Sequence, residues 1–172
     1  MSELPYKVAV LVYLRDADGR VLLLHRRKLP NIDRYSPVGG KLETGQGESP
    51  HECAVREVSE ETGLRLQPNE VRMSGIVSER GYEGQTHWLI FLFEVTRAVH
   101  PSEIPLMEFD EGKLEWVPED QIESLAIPNT DRTIMWPAVR AHAGGFFMVE
   151  IDCSVKPMTH RIVESWKSVR AH

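Results

Sequence analysis

Three glutamates, Glu57, Glu60 and Glu61, stand at positions i, i+3 and i+4 of one short stretch. On a helix that spacing gathers side chains on a single face. Like charges so placed repel by roughly a few tenths of a kcal/mol per pair, and the negative end of the helix dipole adds to the cost. A divalent cation removes it. Carboxylate oxygens are hard ligands suited to Mg²⁺ or Mn²⁺, which commonly bridge one or two carboxylates and substrate phosphates. A solvated acidic face is the competing reading of the glutamates taken alone. Two neighbours favour a site: Gly39 and Gly40 permit a close backbone approach, and Arg56 can grip one carboxylate through a two-pronged pair that fixes its rotamer.

These groups need a rigid element to hold them. Ser49 is a natural helix N-cap, Pro50 fits the first helical position, and Glu52, three after the cap, completes a capping box. Gly63 supplies a left-handed stop, and Ala54, Val55 and Val58 form the face that meets a core. Residues 38–64 therefore read as loop, helix and stop.

Here the sequence resembles the Nudix hydrolase box, G-x5-E-x7-R-E-U-x-E-E-x-G-U, where U is a bulky aliphatic residue. The matching positions are Gly40, Glu48, Arg56, Glu57, Val58, Glu60, Glu61, Gly63 and Leu64. From Glu48 to Leu64 the spacing agrees residue for residue. Seven residues rather than five separate Gly40 from Glu48, the extra pair falling in the 43–47 turn.

The resemblance implies an α/β fold, an α/β/α sandwich with a mixed β-sheet, and a Mg²⁺-dependent pyrophosphohydrolase (Mn²⁺ as an alternative ion). It assigns metal binding to Glu57, Glu60, Glu61 and the Gly40 carbonyl, with Glu57 or Glu60 as general base and Arg56 and Glu48 orienting the ligands. An acidic residue before a later strand joins such sites, which points to Glu111. The tail partly resembles the oxidised-purine nucleoside triphosphate branch, implying base contacts from Asp131 and Asn129, with Trp136 either stacking on the base or lying in the core. The expected reaction is cleavage of a nucleoside phosphoanhydride, with 8-oxo-dGTP giving the monophosphate and pyrophosphate as one candidate. ADP-ribose, another nucleoside diphosphate-X compound and a non-catalytic nucleotide-binding module are the alternatives. Lys41, beside the glycines, and Arg27, in the basic run of residues 25–28, are candidates for phosphate contact.

The 172 residues, 41% hydrophobic and 27% charged, suit one soluble globular domain spanning 1–172. A net charge of −6 gives no overall pull toward nucleic acid or an anionic membrane, so the expected partner is a small-molecule nucleotide, met by a monomer or homodimer. Two cysteines, Cys53 and Cys153, form no disulfide framework, which with the absence of a signal-peptide pattern or long apolar run predicts a cytoplasmic protein.

Along the chain, strands are expected at 6–15, 21–25, 70–80, 86–96 and 146–149, with a short strand late in 109–118. Residues 31–37 read as a connecting loop, 119–125 as a helical turn, and 130–143 as a helix opened by Asn129 or Thr130 and kinked or confined by Pro137. Residues 161–170 read as a last short helix.

Overall fold

The structure, a computed structural model, describes residues 3–29 and 31–168. Among them nine strands run in chain order: β1 (Tyr6–Tyr13), β2 (Val21–Arg26), β3 (Tyr35–Lys41), β4 (Val71–Tyr82), β5 (Thr86–Val95), β6 (Glu108–Phe109), β7 (Gly112–Val117), β8 (Phe146–Asp152) and β9 (Thr159–Trp166). Helix α1 is Pro50–Thr62, and a π-helical turn at Asp131–Met135 leads into α2, Trp136–Ala141. The strands form one sheet in the order β6-β7-β2-β3-β1-β5-β4-β8-β9. It is mixed: β1 runs parallel to β5 and antiparallel to β3, and β4 runs parallel to β8.

The period of two along each strand builds both layers. Val10, Val12 and Leu14 turn to one side and meet Cys53, Ala54 and Val58 of α1. Leu11 and Tyr13 turn to the other and meet Ile134, Met135 and Trp136. Each such fully buried aliphatic or aromatic side chain contributes about 1.5–3 kcal/mol, so a sheet that is apolar on both faces requires a helix on each. The result is the α/β/α sandwich that the resemblance implies.

Three expectations need correction. Residues 31–37 are not all loop, because β3 begins at Tyr35. Its first half pairs with β2, at Leu23↔Pro37 and His25↔Tyr35, and its second half pairs with β1. The strand thus stitches two halves of the sheet, and the Tyr35 N–H finds Ala126 O at 2.8 Å beyond the ladder. The 130–143 segment has no Thr130 side-chain cap, and the backbone widens into the π-turn just before Pro137, which then occupies the start of α2. That widening accommodates the ring and its missing N–H. Residues 161–166 are strand, not helix. The β-branched pair Ile162 and Val163 suits β9, which completes the edge of β8 with Phe146 and Trp166 rings stacked 4.4 Å apart. Residues 169 and 170 of that expectation lie outside the described residues.

Candidate active site

α1 is capped as its sequence requires. Ser49 accepts from the Glu52 N–H at 3.2 Å, Glu52 accepts from the Ser49 N–H at 2.8 Å, and Gly63 closes the helix at φ 75°. The helix is therefore a fixed platform, and Arg56 is the hub on it. Its Nε and Nη2 grip both oxygens of Glu48 at 2.6 and 2.9 Å, while Nη1 donates to Glu57 at 2.9 Å and Glu60 at 3.1 Å. Nη2 also reaches Lys41 O at 3.2 Å, which ties the helix to the strand end. The guanidinium holds the Glu48 carboxyl down at about 2, below the usual carboxylate range. Stability from this pair is thus fully present above the ordinary glutamate value of 4.5 and is lost as the pH falls through about 2. Arg56→Gln should leave the half-buried Glu48 without its cation, lowering stability by about 1.5–3 kcal/mol, or roughly 3–12 °C in Tm, a loss that thermal melts at pH 7 would read and that should shrink in acid.

The glycine pair explains how close the helix sits. A Cβ at Gly40 would overlap the Glu57 carboxylate, and one at Gly39 would overlap the Val10 carbonyl. The Gly39 N–H donates to Glu61 at 3.2 Å. These two contacts predict different outcomes. Gly40→Ala meets only the end of a movable side chain, so it should keep the fold but displace Glu57 and lower kcat by about tenfold or more. Gly39→Ala meets backbone and should lower Tm or prevent folding. Circular dichroism melts alongside initial rates separate the two.

Glu61 is only 4% exposed, and burial, reinforced by Glu57 and Glu111, pushes its carboxyl up to about 8. Glu57 is also pushed upward, first by burial and against the pull of Arg56. Two carboxylates with raised pKa values beside a third fit a divalent cation, which would restore their charge. Among the described residues no three acidic, His or Cys side chains stand in ready metal-ligating geometry. Mutual repulsion and the Arg56 grip account for that, and the oxygen-only donor set with the Gly40 backbone cradled against Glu57 suits a hard ion.

Beside these residues runs a cleft of about 750 Å³. At one end it is lined by Gly39, Gly40, Glu57, Glu61, Glu111 and Lys41. Its far end holds Glu79, Tyr82, Trp88, Thr130 and Asp131. The cleft therefore joins Glu111 to the box glutamates and also takes in Asp131, which stands near Glu79 and the Ser36–Pro37 part of β3. Glu60 is exposed and outside the lining, held by Arg56. Arg27 pairs with Glu108 and Asn129 is exposed, and neither lines the cleft; Arg26 does. Trp136 is core, tilted against Tyr13 with centroids 5.7 Å apart. Cys53 lies beneath Arg56, its thiol pushed up to about 12 by burial and by Glu48, which makes it unreactive.

Sequence reasoning missed Glu79 and Trp88, and within the basic run of residues 25–28 it singled out Arg27 where Arg26 lines the cleft. One signal was there to find: Glu79 is the one acid of strand β4 and shares the alternating face of Val77, and it stands opposite Trp88 across the β4–β5 pair.

The NUDIX domain family matches residues 5–136. The chain belongs to the Nudix family, a class of hydrolases that act on pyrophosphate bonds. The MutT mutator protein of Bacillus halodurans superposes with a TM-score of 0.70 at 27% identity, over 91% of this chain and 97% of its own. The uncharacterised Nudix hydrolase YvcI of Bacillus subtilis is 29% identical over 69% of this chain and 70% of its length. The m7GpppN-mRNA hydrolase NUDT17 of Xenopus laevis is 34% identical over 54% of this chain. The match spans only about a third, 34%, of the NUDT17 chain. Among the described residues no helix is long and apolar enough to cross a membrane.

Proposed function

We propose that this protein is a Mg²⁺-dependent hydrolase of a nucleoside phosphoanhydride, with 8-oxo-dGTP, cleaved to the monophosphate and pyrophosphate, as the first candidate substrate. The observation that supports it is a single cleft with a glycine–glutamate end suited to phosphates and a separate polar and aromatic end suited to a base. Glu57, Glu60, Glu61, Glu111 and the Gly40 carbonyl would hold the ion, which when bound acidifies water and neutralises phosphoryl oxygens. Glu57 is the better placed general base, since it lines the cleft whereas Glu60 faces solvent. Arg56 positions Glu57, and Lys41 at the cleft rim meets phosphate charge. One nine-stranded sheet runs from residue 6 to residue 166, which supports a single catalytic unit.

A panel of dGTP, 8-oxo-dGTP, ADP-ribose and an m7GpppN cap dinucleotide with Mg²⁺, scored for pyrophosphate and monophosphate, tests this reading. Release of pyrophosphate from a triphosphate is expected. Turnover of ADP-ribose or the cap alone would move the substrate to a diphosphate-linked compound, and tight binding without products would make the protein a nucleotide sensor.

A further inference from the structure

Trp136 is 4% exposed, and its indole Nε1 is buried without a hydrogen-bond partner among the described residues. Such an orphan is rare in a folded core, because a buried donor that gives up water and gains nothing is costly. Tyr13 lies against it and is 3% exposed. Its hydroxyl also meets no protein partner among the described residues. Buried tyrosine and tryptophan normally find a partner for these polar tips. Both residues line one small cavity of about 20 Å³, and Asp131 stands in the same wall. Ser74 Oγ and Trp116 Nε1 are buried and unpartnered as well, but neither residue lines this cavity.

Three elements build the cavity. β1 brings Tyr13, the first half of β3 brings Ser36 and Pro37, and the π-turn running into α2 brings Asp131, Met135 and Trp136. Ser36, Pro37, Asp131 and Met135 also line the cleft, whereas Leu23, Ile122 and Ile127 on the remaining sides belong to the core. The cavity therefore lies behind the cleft wall, on its core side.

Size and chemistry leave one kind of guest. A volume of about 20 Å³ exceeds the roughly 10–15 Å³ that a single water requires and gives no room for a second. Burial raises the Asp131 carboxyl to about 6, so at neutral pH it is ionised and only accepts. Burial, and then the charge of Asp131, raises the Tyr13 phenol, which therefore keeps its proton. The indole only donates. Two donors and one acceptor around a common point call for a guest that accepts twice and donates once. A cation has nothing with which to accept from the indole, an anion would face the carboxylate, and an apolar guest would satisfy none of the three. Water satisfies all of them, with the three hydrogen bonds usual for a buried molecule.

We propose that one resident water occupies this cavity, accepting from the Trp136 indole and the Tyr13 hydroxyl and donating to the Asp131 carboxylate. The bridge ties that carboxylate to the core, so this part of the cleft wall is set before any ligand enters. Tyr13 and Trp136 are then positioning residues for Asp131. The site stands whatever substrate the cleft takes.

Two measurements on the full chain test it. Water-selective NOE spectroscopy should show a cross-peak between water and the Trp136 indole proton, its signal assigned among the four tryptophans by its loss in Trp136→Phe. Tyr13→Phe keeps the ring and removes only the hydroxyl, so it should lower Tm by roughly 1–6 °C, the loss of one hydrogen bond. A hydroxyl without a partner would instead leave Tm unchanged or raise it on removal. Absence of the cross-peak overturns the water. A cross-peak together with an unchanged or higher Tm in Tyr13→Phe overturns the three-way bridge.

Discussion

Glu57→Gln is expected to lower kcat by about 10²–10⁴-fold with nucleotide substrates, with KM moving by less than roughly threefold. The amide keeps the shape of the side chain and can still lie against Gly40, so the fold is preserved. It loses both the charge that holds a cation and the basicity that takes a proton from water. Its Arg56 contact at 2.9 Å survives through the amide oxygen, so the effect is not one of lost positioning. Glu60→Gln separates the two carboxylates. Glu60 is exposed and held at 3.1 Å by the same guanidinium, so a Glu60 variant should lose affinity for Mg²⁺ more than it loses kcat at saturating metal. Initial rates over a Mg²⁺ series read both parameters. Unchanged turnover in both variants would remove these glutamates from the mechanism.

The box was legible because its signals are local. Ser49, Pro50, Glu52 and Gly63 cap one helix by rules that act over three or four residues, and the same spacing fixes which side chains share a face. Two strands, β1 and β5, were legible for the same reason, since continuous β-branched and aromatic runs suit a strand buried on both sides. What escaped depends on partners far away in the chain. Tyr35 enters a strand because β2 lies beside it, a pairing that the loop reading of residues 31–37 could not see. The 161–166 segment is a strand because β8 offers an open edge, and its β-branched pair Ile162 and Val163 suits that pairing without revealing the partner.

The site divides along the same line. Glu57, Glu61 and Gly40 come together through α1 and β3, neighbours in sequence. Glu111 arrives from the turn before β7 and Glu79 from β4, and only sheet order places them along one cleft. Arg26 is the last residue of β2, paired with Gly112 of β7, and it lines the cleft, whereas Arg27 beyond the strand end pairs with Glu108.

Glu79→Gln should make the protein more stable at pH 8 than the wild type, by on the order of 2–3 kcal/mol, or roughly 5–10 °C in Tm. The carboxyl is raised from the ordinary glutamate value of 4.5 to about 7 in the fold, first by burial and then by Asp131, and only Thr130 opposes the shift. Between those values the folded chain binds more protons than the unfolded chain, so stability falls as the pH rises. The full benefit of the neutral acid is present below about 4.5 and is gone once the pH has passed through about 7. Glutamine never ionises, so the variant keeps that benefit at every pH. Tyr82 and Cys153 also face Glu79, and burial holds both groups well up, to about 12 and about 11, so neither titrates in this window. Asp131 and Glu61 titrate in wild type and variant alike, and their contributions largely cancel in the difference. Urea or thermal unfolding of both proteins at pH 5 and pH 8 should therefore give curves that nearly coincide in acid and separate in base. A difference independent of pH, or a variant less stable at pH 8, would mean that Glu79 is satisfied in the fold, and the case for a ligand at that end of the cleft would fall with it. The expected pattern is a buried acid that weakens the fold at neutral pH, as a group retained for binding does.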